Sequence, residues 1–229
     1  MRSVTAAQMR AMDHYAIEQL ELPSIVLMEN AARAAMDQLD LHRRHSFAIF
    51  CGVGNNGGDG LALGRNLLSK HKRVRFYLVG DLARASADFM VNYRILVHMK
   101  ADLRLLENLG HIADLQGELQ TFNTVIDALF GTGLNRPIRG MAAVVIEQIN
   151  ESRIFTISLD MPSGIDATTG QPYGAYIQPA AILTFEFPKQ GLARSPLQHT
   201  PVRVLPIGLP REAKAFVLGD DFDGSEASR

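Results

Sequence analysis

Residues 47–68 read Phe47-Ala-Ile-Phe-Cys51-Gly-Val-Gly-Asn-Asn-Gly-Gly-Asp-Gly60-Leu-Ala-Leu-Gly-Arg-Asn-Leu-Leu68. An apolar run rich in β-branched and aromatic residues breaks into glycines and resumes at helical spacing, which predicts a strand, a tight loop and a helix start. Five glycines between Gly52 and Gly60 let the backbone approach a ligand and turn its N–H groups toward an anion at the helix N-terminus. The loop is not a Walker A motif, since Gly58-Asp59 stands where that motif needs Lys followed by Ser or Thr. Gly52, Gly54 and Gly57 satisfy the dinucleotide pattern G-x-G-x-x-G literally, and Asp81 follows the next strand where a ribose-binding carboxylate could sit. Asp59 argues against a plain phosphate nest, because a carboxylate in the loop repels pyrophosphate. Asn55, Asn56 and Asp59 instead offer oxygens to a hard cation or to ribose hydroxyls.

Outward from this loop, strand and helix patterns alternate. Toward the C-terminus the expected elements are a helix over 61–71, strand 74–79, helix 86–99, strand 101–106, helix 112–122, strand 124–130, helix 141–149, and strands 153–159, 181–187 and 202–207. Toward the N-terminus, Thr5 to Leu20 carries Met9, Met12, Ile17 and Leu20 on one stripe behind a Thr5 cap, and Pro23-Ser24 opens a second helix over 25–41. The expected fold is therefore α/β: a Rossmann-like, doubly wound, mostly parallel sheet with helices on both faces and two extra N-terminal helices. The direction of the last two strands is open at this stage. Residues 1–218 form one domain, and the acidic 219–229 tail, with its calcium-loop-like fragment Asp221-x-Asp223-Gly224, is expected to be mobile.

The chain has 229 residues, 47% of them hydrophobic, and a net charge of −1. It can bury a full core, and it lacks the basic excess that nucleic-acid binding needs. The one cysteine, Cys51, forms no internal disulfide, which fits a reducing compartment. No apolar run approaches the ~18 residues of a membrane span. Together with the absence of an N-terminal signal pattern, this points to a soluble cytoplasmic protein. His42 and His45 read as a solvated helix end rather than a metal pair.

Three polar, glycine-containing loops follow strands, and in an open α/β sheet such loops converge at the carboxyl edge. They bring together Asn55, Asn56 and Asp59, then Asp127 with Gly131 to Pro137, then Asp160 and Ser163. Asp127 interrupts an apolar strand, where a charge is expensive without a partner. A bound cation supplies one; capping a neighbouring backbone is the alternative. Ser163 lacks the nucleophile-elbow pattern, so a hydrolase is disfavoured.

The segments Gly54-Asn-Asn-Gly-Gly-Asp-Gly60, Val125-Ile-Asp-Ala-Leu-Phe-Gly-Thr-Gly133 and Leu159-Asp-Met-Pro-Ser-Gly-Ile-Asp166 resemble the three signatures of the NAD(P)H-hydrate epimerase family, the YjeF N-terminal domain. Pro23-Ser-Ile-Val-Leu-Met-Glu-Asn-Ala-Ala32 and Pro188-Lys189-x-Gly191-Leu192 extend the resemblance to about residue 210. It implies an isomerase that interconverts the R and S forms of hydrated NADH and NADPH, with K+ beside the small-molecule substrate. Carried over by position, Asn55, Asn56, Gly57, Gly58, Asp59, Gly131, Thr132, Gly133, Leu134, Asn135, Arg136, Pro137 and Asp160 contact the substrate. Asn56, Asp127 and Ser163 hold potassium, and Asp160 moves the proton unless it is only a ligand contact. Lys189 either reaches an anionic group of the ligand or is a surface lysine in a turn.

Many bacterial relatives continue into a dehydratase domain for which this chain has no room, so a separate dehydratase is a possible partner, as is a second copy in a homodimer. Two rivals stand beside this reading. A non-catalytic nucleotide-binding or scaffold module of the same fold predicts binding without epimerisation. An NAD-dependent dehydrogenase predicts hydride transfer, but shows no clear catalytic His–Lys or Tyr–Lys set.

Overall fold

The computed structural model describes residues 2–220 and Phe222; the tail motif at Asp221 and Asp223 lies outside the described residues. Seven strands form one sheet: β1 (Ser46–Gly52), β2 (Arg73–Val79), β3 (Asp102–Leu106), β4 (Thr124–Ala128), β5 (Thr156–Leu159), β6 (Ala181–Phe185) and β7 (Val202–Leu205), in the order β3-β2-β1-β4-β5-β6-β7. Every neighbouring pair is parallel, the last two strands included. Seven α-helices are described: α1 (Ala6–Glu18), α2 (Ser24–Asp37), α3 (Asn55–Ser69), α4 (Ala87–His98), α5 (Leu115–Leu119), α6 (Met141–Ser152) and α7 (Arg211–Leu218).

β1 is buried along its whole length, as a strand covered on both faces must be. Its period-2 alternation divides the core: Phe47, Ile49 and Cys51 face a cluster built with α1–α4 and α7, whereas Ala48 and Phe50 face one built with α5 and α6. The chain leaves β1 for β2 and β3 on one side and returns to β4 on the other, so β1 and β4 flank the point where the winding reverses. The segment after β1 runs to α3 on the first face, and the segment after β4 runs to α6 on the second. A crevice opens between them at the carboxyl edge.

Several elements differ from expectation. α3 begins at Asn55, six residues before Leu61, so the polar half of the glycine-rich loop is its first turn. The glycines permit this by close packing: a Cβ on Gly57 would lie 1.7 Å from the Gly52 carbonyl oxygen, and one on Gly58 would lie 2.5 Å from Met28 Cε. The helix expected over 112–122 is a 3-10 turn at Leu109–Ile112, capped by Asn108, followed by the short α5; the break between them falls at Asp114, a better turn former than helix former. α1 starts behind Thr5 in a complete capping box but stops at Glu18, which leaves Leu20 on the surface. α7 was not expected; it packs along α1, with Phe216 stacked on Tyr15. No helix among the described residues is long and apolar enough to cross a membrane.

Candidate functional site

A cleft of about 1130 Å³ opens at the carboxyl edge where the winding reverses. The end of β1 and the start of α3 contribute Val53, Gly54, Asn55, Asn56 and Asp59 to it, and the segment after β4 contributes Leu129 to Arg139. Gly80, Asp81 and Arg84 close one end; Asp160 and Lys189 come from the ends of β5 and β6. α1 forms a further wall through Met9, Arg10, Asp13 and Ile17, which gives the first N-terminal helix its role. The three loops therefore converge as the strand order requires.

Asp160 follows β5 with φ +62°, a conformation uncommon for a residue with a side chain. Its backbone N–H donates to the Leu183 carbonyl at 2.7 Å, and the next N–H, of Met161, turns back to Leu159 at 2.8 Å. Backbone held this far from its preferred range needs surrounding structure to over-determine it, a pattern that clusters at functional sites. The side chain is only 12% exposed. One carboxylate oxygen accepts from Lys189 Nζ at 2.5 Å, and the other from the Thr132 N–H at 3.3 Å. Lys189 is no surface lysine: it is 1% exposed, and Nζ also donates to Thr184 Oγ1 at 3.0 Å and to the Phe185 carbonyl at 2.8 Å.

Glu186 repeats the turn at the end of β6, with φ +61° and an N–H donated to Leu205 at 2.7 Å. Each of these acids precedes an X-Pro pair, Met161-Pro162 or Phe187-Pro188, and each is paired with a lysine, Glu186 with Lys214 of α7.

Two other carboxyls approach Asp160. Asp13 is pushed up to about 6, first by burial and then by the Asp160 charge, while Lys189 pulls the other way. Asp59, which the cleft leaves half-buried, is raised first by burial and then by the Asp160, Asp13 and Asp88 charges, with Lys189 again opposing. The sequence reading missed Asp13 altogether, although a signal existed: it lies four residues after Met9 and three before Ala16, inside the apolar stripe of α1.

Below this floor Asp127 is fully buried and accepts four hydrogen bonds. Ser163 Oγ donates to Oδ1 at 2.5 Å and Ser158 Oγ to Oδ2 at 2.6 Å; the backbone N–H groups of Ser163 (2.9 Å) and Leu129 (3.3 Å) complete the set. Burial raises Asp127 above the usual carboxylate range, and these bonds work against that rise. Ser163 Oγ in turn accepts from the Phe130 N–H at 2.9 Å, which ties the β5 segment to the β4 loop. Asn56 is the exception in this network. Its side-chain nitrogen and oxygen are both buried with no hydrogen-bond partner among the described residues, and such an orphaned group costs about 1–3 kcal/mol.

Of the residues singled out in the sequence, Asn55, Asn56, Asp59, Asp160 and all of Gly131 to Pro137 line the cleft. Gly57 and Gly58 do not; they pack inward against Gly52 and Met28. Asp127 and Ser163 are joined to each other beneath the lining. Asp81 stands at the rim, where its carboxylate accepts from the Ala83 N–H at 2.9 Å. Gly131 lies between the key groups, since a Cβ there would come 3.1 Å from Asp160 Oδ2 and 3.2 Å from Asn56 Cβ and Cγ. The first turn of α3 has no side-chain cap, so its N–H groups are open toward an anion. Arg10, Arg84, Arg136 and Arg139 add positive charge around the cleft. The arrangement suits an elongated ligand with anionic parts near the arginines and a reacting group beside Asp160.

Comparison with known proteins bears on that chemistry. The family described as "YjeF-related protein N-terminus" matches residues 24–191. An NAD(P)H-hydrate epimerase of Anaerococcus prevotii is 38% identical over 218 residues, covering 95% of this chain and 100% of that protein. One from Limosilactobacillus fermentum is 35% identical, with 89% and 95% covered. A bifunctional NAD(P)H-hydrate repair enzyme Nnr of Moorella thermoacetica is 37% identical over 94% of this chain but only 42% of its own length. Among solved structures, yeast ynu0 (YNL200c) superposes with a TM-score of 0.77 at 20% identity, over 95% of this chain and 94% of that one, a likeness of fold alone.

Proposed function

The chain belongs to the YjeF-related N-terminal family, and from that premise we propose that it is an isomerase interconverting the R and S forms of hydrated NADH and NADPH, with Asp160 as its acid–base group. The observation that carries the proposal is the Asp160 carboxylate, its side chain buried and fixed at the floor of a cleft large enough for a dinucleotide. The hydrated carbon of the substrate bears a hydroxyl next to a ring nitrogen. It loses its configuration by ring opening to an aldehyde or by loss of the hydroxyl to an iminium, and both routes need a proton moved at that oxygen or nitrogen. A positioned carboxyl typically contributes ~10²–10⁴-fold to such a step. The uncapped start of α3 and the cleft arginines hold the phosphates, while Thr132 and Gly131 keep the β4 loop against Asp160.

The same reading includes a potassium ion held by Asn56, Asp127 and Ser163. The residues fit: an amide oxygen without a partner, a buried carboxylate and a hydroxyl are hard oxygen donors suited to such a cation. When bound, the ion would supply a counter-charge for Asp127 and a partner for Asn56. Asp127 and Ser163 themselves join β4 to the β5 segment, so they fix two of the walls between which the substrate lies. The reading extends to a cytoplasmic protein, to a homodimer, and to a dehydratase on another chain that takes up the S epimer.

One assay tests the proposal. A single epimer of hydrated NADH is incubated with the protein, with and without potassium, and the epimers are separated by chromatography. Wild-type protein should equilibrate them faster with potassium, and Asp160→Asn should bind the ligand yet lose at least ~10²-fold in turnover. Near-normal turnover in that variant removes Asp160 from the chemistry, and nucleotide binding with no epimer exchange by wild-type protein favours a non-catalytic module.

A further inference from the structure

We propose that Lys189 is a positioning residue that holds the Asp160 carboxylate in place as a proton acceptor aimed into the cleft, and that this commits the site to base-initiated ring opening rather than acid-assisted loss of the hydroxyl. The inference rests on the assignment of the site as an epimerase with Asp160 at its centre.

An ammonium has three N–H donors. Those of Lys189 are taken by Asp160 Oδ1, Thr184 Oγ1 and the Phe185 carbonyl, so none is left for a ligand. Lys189 therefore acts through Asp160. Every side-chain hydrogen bond that Asp160 makes is one it accepts, from Lys189 on one oxygen and from Thr132 on the other. The backbone of Lys189 is fixed from both sides, because the Val4 N–H donates to Pro188 O and the Gln190 N–H donates to Val4 O, each at 2.9 Å.

The charged groups facing the pair reinforce this division of labour. Asp13 from α1 and Asp59 from α3 make no ion pair with a lysine among the described residues, and both are pushed toward the protonated form. Arg10, also from α1, is turned to the Thr132 carbonyl, and Glu186 is occupied by Lys214. Carboxyls in one site whose environments set them apart are how a fold assigns separate acid and base roles.

The step balances as follows. Asp160 takes the proton of the ring hydroxyl, and the oxygen's electron pair forms the C=O bond of an aldehyde. The C–N bond breaks, its pair passes to the ring nitrogen in conjugation with the carboxamide, and the proton held by Asp160 moves to that nitrogen. Rotation presents the other face of the aldehyde, and the same steps in reverse close the ring with inverted configuration. The hydroxyl oxygen stays on its carbon throughout. In the acid-assisted route the oxygen departs as water and its replacement comes from solvent.

The test is epimerisation of one pure epimer of hydrated NADH in ¹⁸O-enriched water, quenched at partial conversion, with the product epimer weighed by mass spectrometry. Retention of the original oxygen in the product epimer is expected; one solvent oxygen per inversion overturns the inference while leaving the epimerase assignment intact. Absence of any epimer exchange overturns that assignment first and the inference with it. In parallel, Lys189→Met should lower kcat about 10²-fold with KM within about threefold of wild type. Lys189→Arg should restore much of the loss. Wild-type kcat in Lys189→Met, or no rescue by Arg in a variant of wild-type melting temperature, refutes the positioning role. The isotope experiment needs no variant, so it decides the route even where Lys189→Met fails to fold.

Discussion

Replacing Asp13 with Asn should make the protein more stable at neutral pH, and the gain should shrink as pH falls. In the folded protein Asp13 is raised from 3.8 to about 6. The folded state therefore binds this proton more tightly than the unfolded chain does, and ionising the group in place costs folding free energy. The cost is absent below the unfolded value of 3.8, builds between 3.8 and about 6, and is constant above. Some two units at 1.36 kcal/mol each set a ceiling of about 3 kcal/mol. Asp13 is half-buried at the cleft wall, where water reaches it, so screening brings the figure to about 1.5 kcal/mol. Urea unfolding of wild type and Asp13→Asn at pH 4.5, 6 and 7.5 reads this directly. The variant's advantage should be ~0.5 kcal/mol at the lowest pH and ~1.5 kcal/mol at the highest. An advantage independent of pH, or a variant less stable than wild type at pH 7.5, would refute the electrostatic reasoning.

Two further substitutions probe neighbouring parts of the same framework. Lys214→Met leaves the buried Glu186 side chain, 4% exposed, with the Ile207 N–H at 2.9 Å but without its cation; it should cost about 3 kcal/mol in chemical denaturation. Adding Glu186→Gln to that variant should recover most of the loss, and additive costs would contradict the pairing. Gly131→Ala brings a methyl group within 3.1 Å of Asp160 Oδ2 and 3.2 Å of Asn56. Neighbours must shift by a few tenths of an ångström, so stability should change by under ~1 kcal/mol while turnover falls roughly 10–100-fold. Calorimetry beside the epimer-exchange assay separates the two effects, and unchanged turnover would mean that the spacing at Gly131 is not critical.

The parts of the molecule legible in its sequence are those decided by neighbours in the chain. β1 reads as an unbroken apolar run because both of its faces are covered, and that pattern, repeated with helical segments between, is enough for a parallel sheet. The convergence of three loops follows from strand order without any knowledge of side-chain contacts. Boundaries were less legible: the first turn of α3 is Asn-Asn-Gly-Gly, poor helix-forming residues that are helical because the strand end and Met28 leave room for nothing bulkier. α7 is eight residues long and owes its place to α1, almost the whole chain away.

Lys189 marks the sharpest limit. Pro-Lys-Gln-Gly has the composition of an exposed turn, and although the apolar strand β6 just before it is buried, nothing in the tetrapeptide itself calls for burial. Its position is set by a carboxylate 29 residues earlier, brought alongside by the parallel register of β5 and β6. The same register places the Asp-Met-Pro and Glu-Phe-Pro turns on adjacent strand ends, where each positive φ aims an acid at a lysine arriving from a later segment. The acid-X-Pro spelling was visible twice in the sequence; that each acid is paired with a lysine became visible only once the strands were side by side. A charged residue's role is thus carried by pairing across the sheet, and composition around it reports only the turn in which it happens to sit.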